Sequence, residues 1–207
     1  MTRTYSTRRL TGMAPVSLRR LALAGMVALL VGGAPLAQTP EPAQDDTLEA
    51  LRTRANAGDA EAQYNLGLTY ATGLDVPHDD VEAAAWFLKA AEQGHAAAQL
   101  SLGVMYDAVR GVPQDFGEAV AWLRRAAEQG SALAQYNLGV MYYNGEGVPQ
   151  DDGEAYLWAN LAATYADASD RDRFAEFRDL TAERLTPEQR NEGQQLAREF
   201  FEAHPPE

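Results

Sequence analysis

The sequence predicts an all-α protein, an α-solenoid of 36-residue helix-turn-helix repeats, and three observations carry that reading. Segments 59–94, 95–130 and 131–166 align without a gap, and self-similarity at a fixed period of this length marks a stack of like units. In the first half of each segment, apolar residues recur at i, i+4 and i+8, the spacing of one helical face. A loop bearing Gly and Pro follows in each, and then Asp-x-x-Glu, a signature of a helix start.

The first element is an address rather than part of that fold. Residues 1–20 carry Arg3, Arg8, Arg9, Arg19 and Arg20 and no acid, and the apolar run Leu21–Val31 and the small residues of GGAPLA follow. This order reads as a secretory signal over residues 1–37. A membrane-spanning helix needs about 20 apolar residues, and Gly32, Gly33 and Pro35 break this run sooner. Cleavage fits after Ala37 or after Gly33, and an uncleaved segment would act as a tether. The paired arginines match a twin-arginine signal poorly, which favours the general secretory route. The expected location is therefore periplasmic or secreted. Residues 38–45, QTPEPAQD, form a polar linker with nothing to bury.

Residues 46–58 read as an N-terminal half-repeat, a lone second helix with Asp46-x-x-Glu49 as its capping box and Leu51 in the place of Phe87. Each full repeat then opens with a helix A near Ala60, Ala96 and Ala132, whose buried face holds Ala62, Leu66, Tyr70 and their equivalents. Helix B opens at Asp79, Asp115 and Asp151, each expected to accept a bond from a free N–H of the first turn, with Glu82, Glu118 and Glu154 reaching back. Gly58, Gly94 and Gly130 stand where a left-handed helix end is wanted. Gly67, Gly103 and Gly139 lie inside helix A at a cost of roughly 1 kcal/mol each relative to Ala. That cost makes sense if a neighbouring helix presses on the bare backbone, with Ala83, Ala119 and Ala155 as the expected contacts. Trp86, Trp122 and Trp158 are expected to fill the spaces between helix pairs. Asp75 stands where the third repeat has Gly147, and Val109 where it has Gly145, so the loops of the first two repeats are expected to take different paths. Residues 167–207 read as a capping pair and tail, with two longer helices over 170–185 and 187–203, Thr186 as cap and Pro187 at the first helical position.

Composition narrows the function. There is no cysteine, which removes disulfides, thiolate metal sites, thiol nucleophiles and a lipidated N-terminal Cys. The formal charge is −13. Beyond residue 37, 12 basic residues face 30 acidic ones, a balance of −18. Such a body repels phosphate, so neither nucleic acid nor an anionic membrane is an expected partner.

The motif A-x-x-x-L-G-x-x-Y, then G-V-P, then E-A-x-x-W and A-A-x-x-G, resembles the Sel-one-like repeat family, a branch of the tetratricopeptide-like superfamily, over residues 58–166. The resemblance implies a right-handed superhelix and a role as adaptor or scaffold in signalling or cell-envelope complexes. Some secreted relatives carry a Cys pair in each repeat and are linked to β-lactam binding. This chain has no Cys, so that subtype does not carry over.

In arrays of that kind the second face of helix A lines a concave groove. Here it would carry Tyr64 and Leu68, then Leu100, Val104 and Asp107, then Tyr136, Val140 and Tyr143, with Asn65, Ser101 and Asn137 at its border as donors for a peptide backbone. Tyr64, Leu100 and Tyr136 have an equal claim to be core between neighbouring repeats. Asp107 and Tyr143 differ between repeats and are the stronger candidates for partner contacts. The single lysine, Lys89, lies on helix B, which argues against a clamp for an acidic C-terminus. His78, His95 and His204 have no second ligand at metal spacing and read as surface histidines. Asp79-Asp80 and Asp151-Asp152 read as caps rather than as acid/base pairs. No nucleophile motif, phosphate-binding loop or dinucleotide fingerprint is present. The expectation is a protein- or peptide-binding scaffold for a partner of basic character, with no catalysis, cofactor or metal. A binder or hydrolase of cell-wall glycan or β-lactam is the alternative, with Tyr143 and Asp107 as its loose candidate, and self-association through the half-repeat is a further one.

Overall fold

A computed structural model of the chain describes residues 48–204. The leader, the linker and the Asp46 end of the first capping box lie outside the described residues. Among those described, the chain forms helices alone: α1 (Leu48–Asn56), α2 (Ala60–Thr72), α3 (Asp80–Glu92), α4 (Ala96–Ala108), α5 (Phe116–Glu128), α6 (Ala132–Asn144), α7 (Asp152–Tyr165), α8 (Arg171–Ala182) and α9 (Pro187–Ala203). Each packs on the next from α1 to α8, and α9 folds back onto α7. This is an α-solenoid of repeats with a C-terminal cap.

The caps explain why these segments start and stop where they do. Asp79 accepts from the backbone N–H of Val81 and Glu82, Asp115 from that of Glu118, and Asp151 from those of Gly153 and Glu154. The reciprocal half of the box, expected from Glu82, Glu118 and Glu154, forms at none of these three helices, and in repeat 3 Glu154 accepts from Trp158 Nε1 at 3.0 Å instead. A complete capping box forms at α9, between Thr186 and Gln189 with Pro187 in the first turn. Gly58, Gly94 and Gly130 hold positive φ, and the N–H of the residue after each bonds a carbonyl five positions back, at Arg54, Ala90 and Ala126. That bond satisfies carbonyls the helix end would otherwise orphan. α8 has 12 residues and ends at Ala182, shorter than expected. Leu185 turns into the core there ahead of the Thr186-Pro187 start.

The loops of the repeats share one path, against expectation. Gly73, Val109 and Gly145 all sit at positive φ, as do Asp75, Gly111 and Gly147. Gly111 lies against the Asp80 backbone and Gly147 against that of Phe116, so a Cβ at either would collide with a carbonyl oxygen. Arg110 also ion-pairs Asp80 at 2.8 Å. Docking on the preceding repeat fixes the route, and Val109 is carried into the left-handed region with it, at φ 57. A β-branched residue there is strained by roughly 1–2 kcal/mol.

Between helix pairs, the tryptophans pack as expected. Trp86 lies half-buried against Ala55, Ala62 and Leu66; Trp122 joins Phe87, Leu102 and Met105; Trp158 joins Leu138, Met141 and Ala197. The mid-helix glycines do face close neighbours, but not chiefly the expected alanines. A Cβ on Gly67 would lie 2.6 Å from the Phe87 ring, and one on Gly103 2.7 Å from Leu123 Cγ. Gly139 meets Phe177 of α8 and the Ala155 carbonyl.

A polar ladder that the sequence reading passed over ties the repeats together. Gln63, Gln99 and Gln135 are buried, and each donates from Nε2 to the carbonyl of Ala55, Ala91 or Ala127 at the end of the preceding helix B. Gln93 and Gln129 close the ladder by donating to Gln63 Oε1 and Gln99 Oε1, each at 2.7 Å. The signal was present as Gln repeated every 36 residues at two positions. Such a network costs little only when each member is paired.

Candidate interaction surface

The expected stripe lies on α2, α4 and α6, and its three segments have different fates. On α2 and α4, Tyr64, Leu68, Leu100 and Val104 are half-buried. Tyr64 and Leu68 lean on the core around Phe87 and Leu102, and Leu100 on the core around Leu123 and Leu138. Val104 and Asp107 are half-buried and join none of these apolar clusters.

On α6 the stripe is covered at Tyr136 and stays half-buried at Val140 and Tyr143. Tyr136 is 6% exposed, stacked on Phe174 with ring centroids 4.8 Å apart and edge-on to Phe177 at 5.1 Å. The Arg173 guanidinium lies 5.0 Å from its centroid. Tyr143 meets Phe177 edge-on at 6.0 Å, and Arg184 lies over its ring at 3.6 Å. Leu133 and Val140 pack on the same cluster. Of the two readings open for Tyr136, core is the correct one: α8 seals it. Burial pushes the Tyr136 phenol above its usual value, while Arg173 draws it back.

The border residues use their donors inside the chain. Asn65 Nδ2 donates to Glu61 Oε1 at 3.2 Å, Asn137 Nδ2 to the Leu133 carbonyl at 2.9 Å, and Ser101 Oγ to the Ala97 carbonyl at 2.9 Å. A peptide backbone would have to displace these bonds, so the exposed character of the α2–α4 segment is chiefly apolar and aromatic. The Tyr64 phenol is raised mainly by burial and then by Glu61.

His95 is no ordinary surface histidine. Its side chain is 18% exposed and bridges two repeats. Nδ1 accepts from Ala98 N–H at 3.2 Å, capping α4 as Asp59 caps α2 and Ser131 caps α6. Nε2 bonds Glu61 Oε2 at 2.9 Å, and the ring stacks on Tyr64 at 4.7 Å. That bond holds the Glu61 carboxyl below its usual range. The spacing of 36 from Asp59 and Ser131 was the signal: position 95 is a cap position. His78 pairs with Asp80 at 3.3 Å on the surface, and His204 stacks on Phe200. Among the described residues, no group of three His, Asp or Glu side chains is placed to hold a metal ion.

The comparisons with known proteins agree with this architecture. The Sel1 repeat family model matches residues 60–95, 96–131 and 132–164. A Sel1 repeat protein from Oxalobacter formigenes is similar in structure, with 38% identity and a TM-score of 0.56, over 62% of this chain and 97% of that one. A protective antigen of uropathogenic Escherichia coli strains, which displays an SLR fold, matches at 30% identity and a TM-score of 0.55, over 75% of this chain and 40% of its own. A search of curated proteins gives no match. With three contiguous matches covering half its length, in the register of its helix pairs, the chain belongs to the Sel1 repeat family.

Proposed function

We propose that this chain is an exported scaffold of the cell envelope that holds a protein or peptide along the α2–α4 stripe and performs no chemistry of its own. Sel1 repeats generally serve protein–protein interaction, and the observation that carries the reading here is the contrast along helix A. Tyr64, Leu68, Leu100 and Val104 stay half-buried, whereas on α6 Tyr136 is sealed by α8, and the half-buried Val140 and Tyr143 pack on the cluster that Phe174 and Phe177 of α8 join. Apolar and aromatic side chains at the surface in a repeating row suit a partner that buries them. The acidic balance of the body favours a partner of basic character, and Arg110, near this end of the array, is already paired with Asp80. Export rests on the basic and apolar leader of residues 1–37.

Photocrosslinking in cells tests the reading, with probes at Leu68 and Val104 and a control probe at the exposed Glu128 of α5. A discrete adduct from the first two alone, of a mass other than twice the chain, supports it and identifies the partner. Equal labelling from Glu128, or an adduct of the homodimer mass, overturns it in favour of non-specific contact or self-association. Fractionation of cells expressing the chain tests export, and retention in the cytoplasm would contradict it.

A further inference from the structure

Where α7 meets the two cap helices, the protein has a cleft that owes nothing to the stripe. About 340 Å3 in volume, it is lined by Tyr156 and Asn160 of α7, Arg178 and Asp179 of α8, and Arg190 and Gln194 of α9, among others. The repeats are overwhelmingly acidic, yet this one cleft gathers two guanidinium groups.

Their environments differ in a way that defines a ligand. Arg178 is largely neutralised, since Asp179 Oδ1 accepts from both its Nε and its NH2, at 2.9 and 2.7 Å. Arg190 is held by a neutral group, donating from NH2 to the Leu185 carbonyl at 3.2 Å. That bond positions the fork without cancelling its charge. The cleft therefore carries one net positive charge. Tyr156 is 3% exposed, and its hydroxyl accepts from Gln194 Nε2 at 3.1 Å. This leaves the phenolic O–H as a donor and turns the Gln194 carbonyl into an oriented acceptor. Asn160 adds an amide that can both donate and accept.

We propose that this cleft binds a monocarboxylate that carries an adjoining amide, as at the C-terminus of a peptide or in a free acylated amino acid. An arginine fork matches a carboxylate through two parallel bonds. One net charge matches a singly charged anion better than a phosphate dianion. The amides of Asn160 and Gln194 complement a peptide group beside the carboxylate. The volume is at the small end for ligand sites and admits one or two residues.

Calorimetric titration of the full chain tests this with acetyl-alanyl-alanine, its C-terminal amide and inorganic phosphate. The free acid is expected to bind at least ten-fold more tightly than either of the others. Arg190→Gln is expected to weaken the acid ten-fold or more with an unchanged melting temperature, and Asp179→Asn to strengthen it several-fold by freeing the charge of Arg178. The gain from Asp179→Asn cannot come from a damaged fold. Equal binding of acid and amide, tighter binding of phosphate, or no heat with any probe would sink the proposal. A ten-residue peptide ending in Ala-Ala then separates the sources. Binding as tight as that of the short acid marks a polypeptide C-terminus, and its exclusion marks a free small molecule. Crosslinking at Leu68 and Val104 reports on a different surface, so the two proposals fail independently.

Discussion

In repeat 1 the bare backbone of Gly67 is met by the ring of Phe87 from the paired helix, and in repeat 2 that of Gly103 is met by Leu123. In repeat 3 the matching position is Ala159, which is too small to reach, and Phe177 comes from α8 instead to lie against Gly139. The interior volume is conserved while its donor changes. The Gln ladder shows the same break. Gln93 and Gln129 complete the first two rungs, but position 165 is Tyr, and Gln135 Oε1 is left buried without a partner. Tyr165 instead bonds the His204 carbonyl and packs on Phe201. Repeats 1 and 2 supply these groups from their own second helix, whereas in the last repeat Gly139 is met by a residue that belongs to no repeat and Gln135 Oε1 is left unmet. That exchange is what ends the array.

The sharpest way to break this comparison is to remove the ring that crosses it. Phe177→Ala is expected to cost about 3–4 kcal/mol in denaturant unfolding. Ala159→Leu alone is expected to overpack the site by roughly 1–3 kcal/mol. Combined, the two are expected to recover at least about 1 kcal/mol relative to their sum, because the leucine restores the arrangement of repeat 2. Strict additivity would show that Phe177 does not stand in for the missing side chain.

Gly67→Ala comes next, with an expected loss of about 1–3 kcal/mol. Helix propensity favours the change, but the buried Phe87 ring, 2.6 Å from the added Cβ, would have to shift. A rise in Tm would refute the close approach. Gln129→Ala is expected to cost about 1 kcal/mol by orphaning Gln99 Oε1 as Gln135 Oε1 already is, and hydrogen exchange at the α4–α5 junction should rise with it. The smallest effect sharpens the loop comparison. Val109→Gly relieves the left-handed strain and is expected to add about 0.5–1 kcal/mol of stability. A loss there would mean that the Val109 side chain makes a contact worth more than its strain.

Much of this was legible in the chain. The helix pairs, their Asp caps and terminal glycines, and the Thr186-Pro187 start all lie where local rules put them, because a cap bonds atoms two or three residues away. What the sequence hid is long-range. Nothing in Val109 itself says that it adopts positive φ; the dock of Gly111 on Asp80 two strides along the loop decides it. His95 looked ordinary until Glu61 and Tyr64 of the preceding repeat closed on it.

The candidate stripe divides in the same way. That Tyr64, Leu68, Leu100, Val104, Tyr136, Val140 and Tyr143 share one face of helix A follows from the 100° step of the helix, and the sequence determined it alone. How far each is buried was decided by packing: Phe174 and Phe177 of α8 seal Tyr136, whereas Tyr64, Val104, Val140 and Tyr143 stay half-buried. The cleft at Arg190 is likewise a product of assembly, from residues on three helices up to 38 positions apart. Periodicity fixes direction, which is local, but burial and charge balance depend on what the rest of the chain brings alongside.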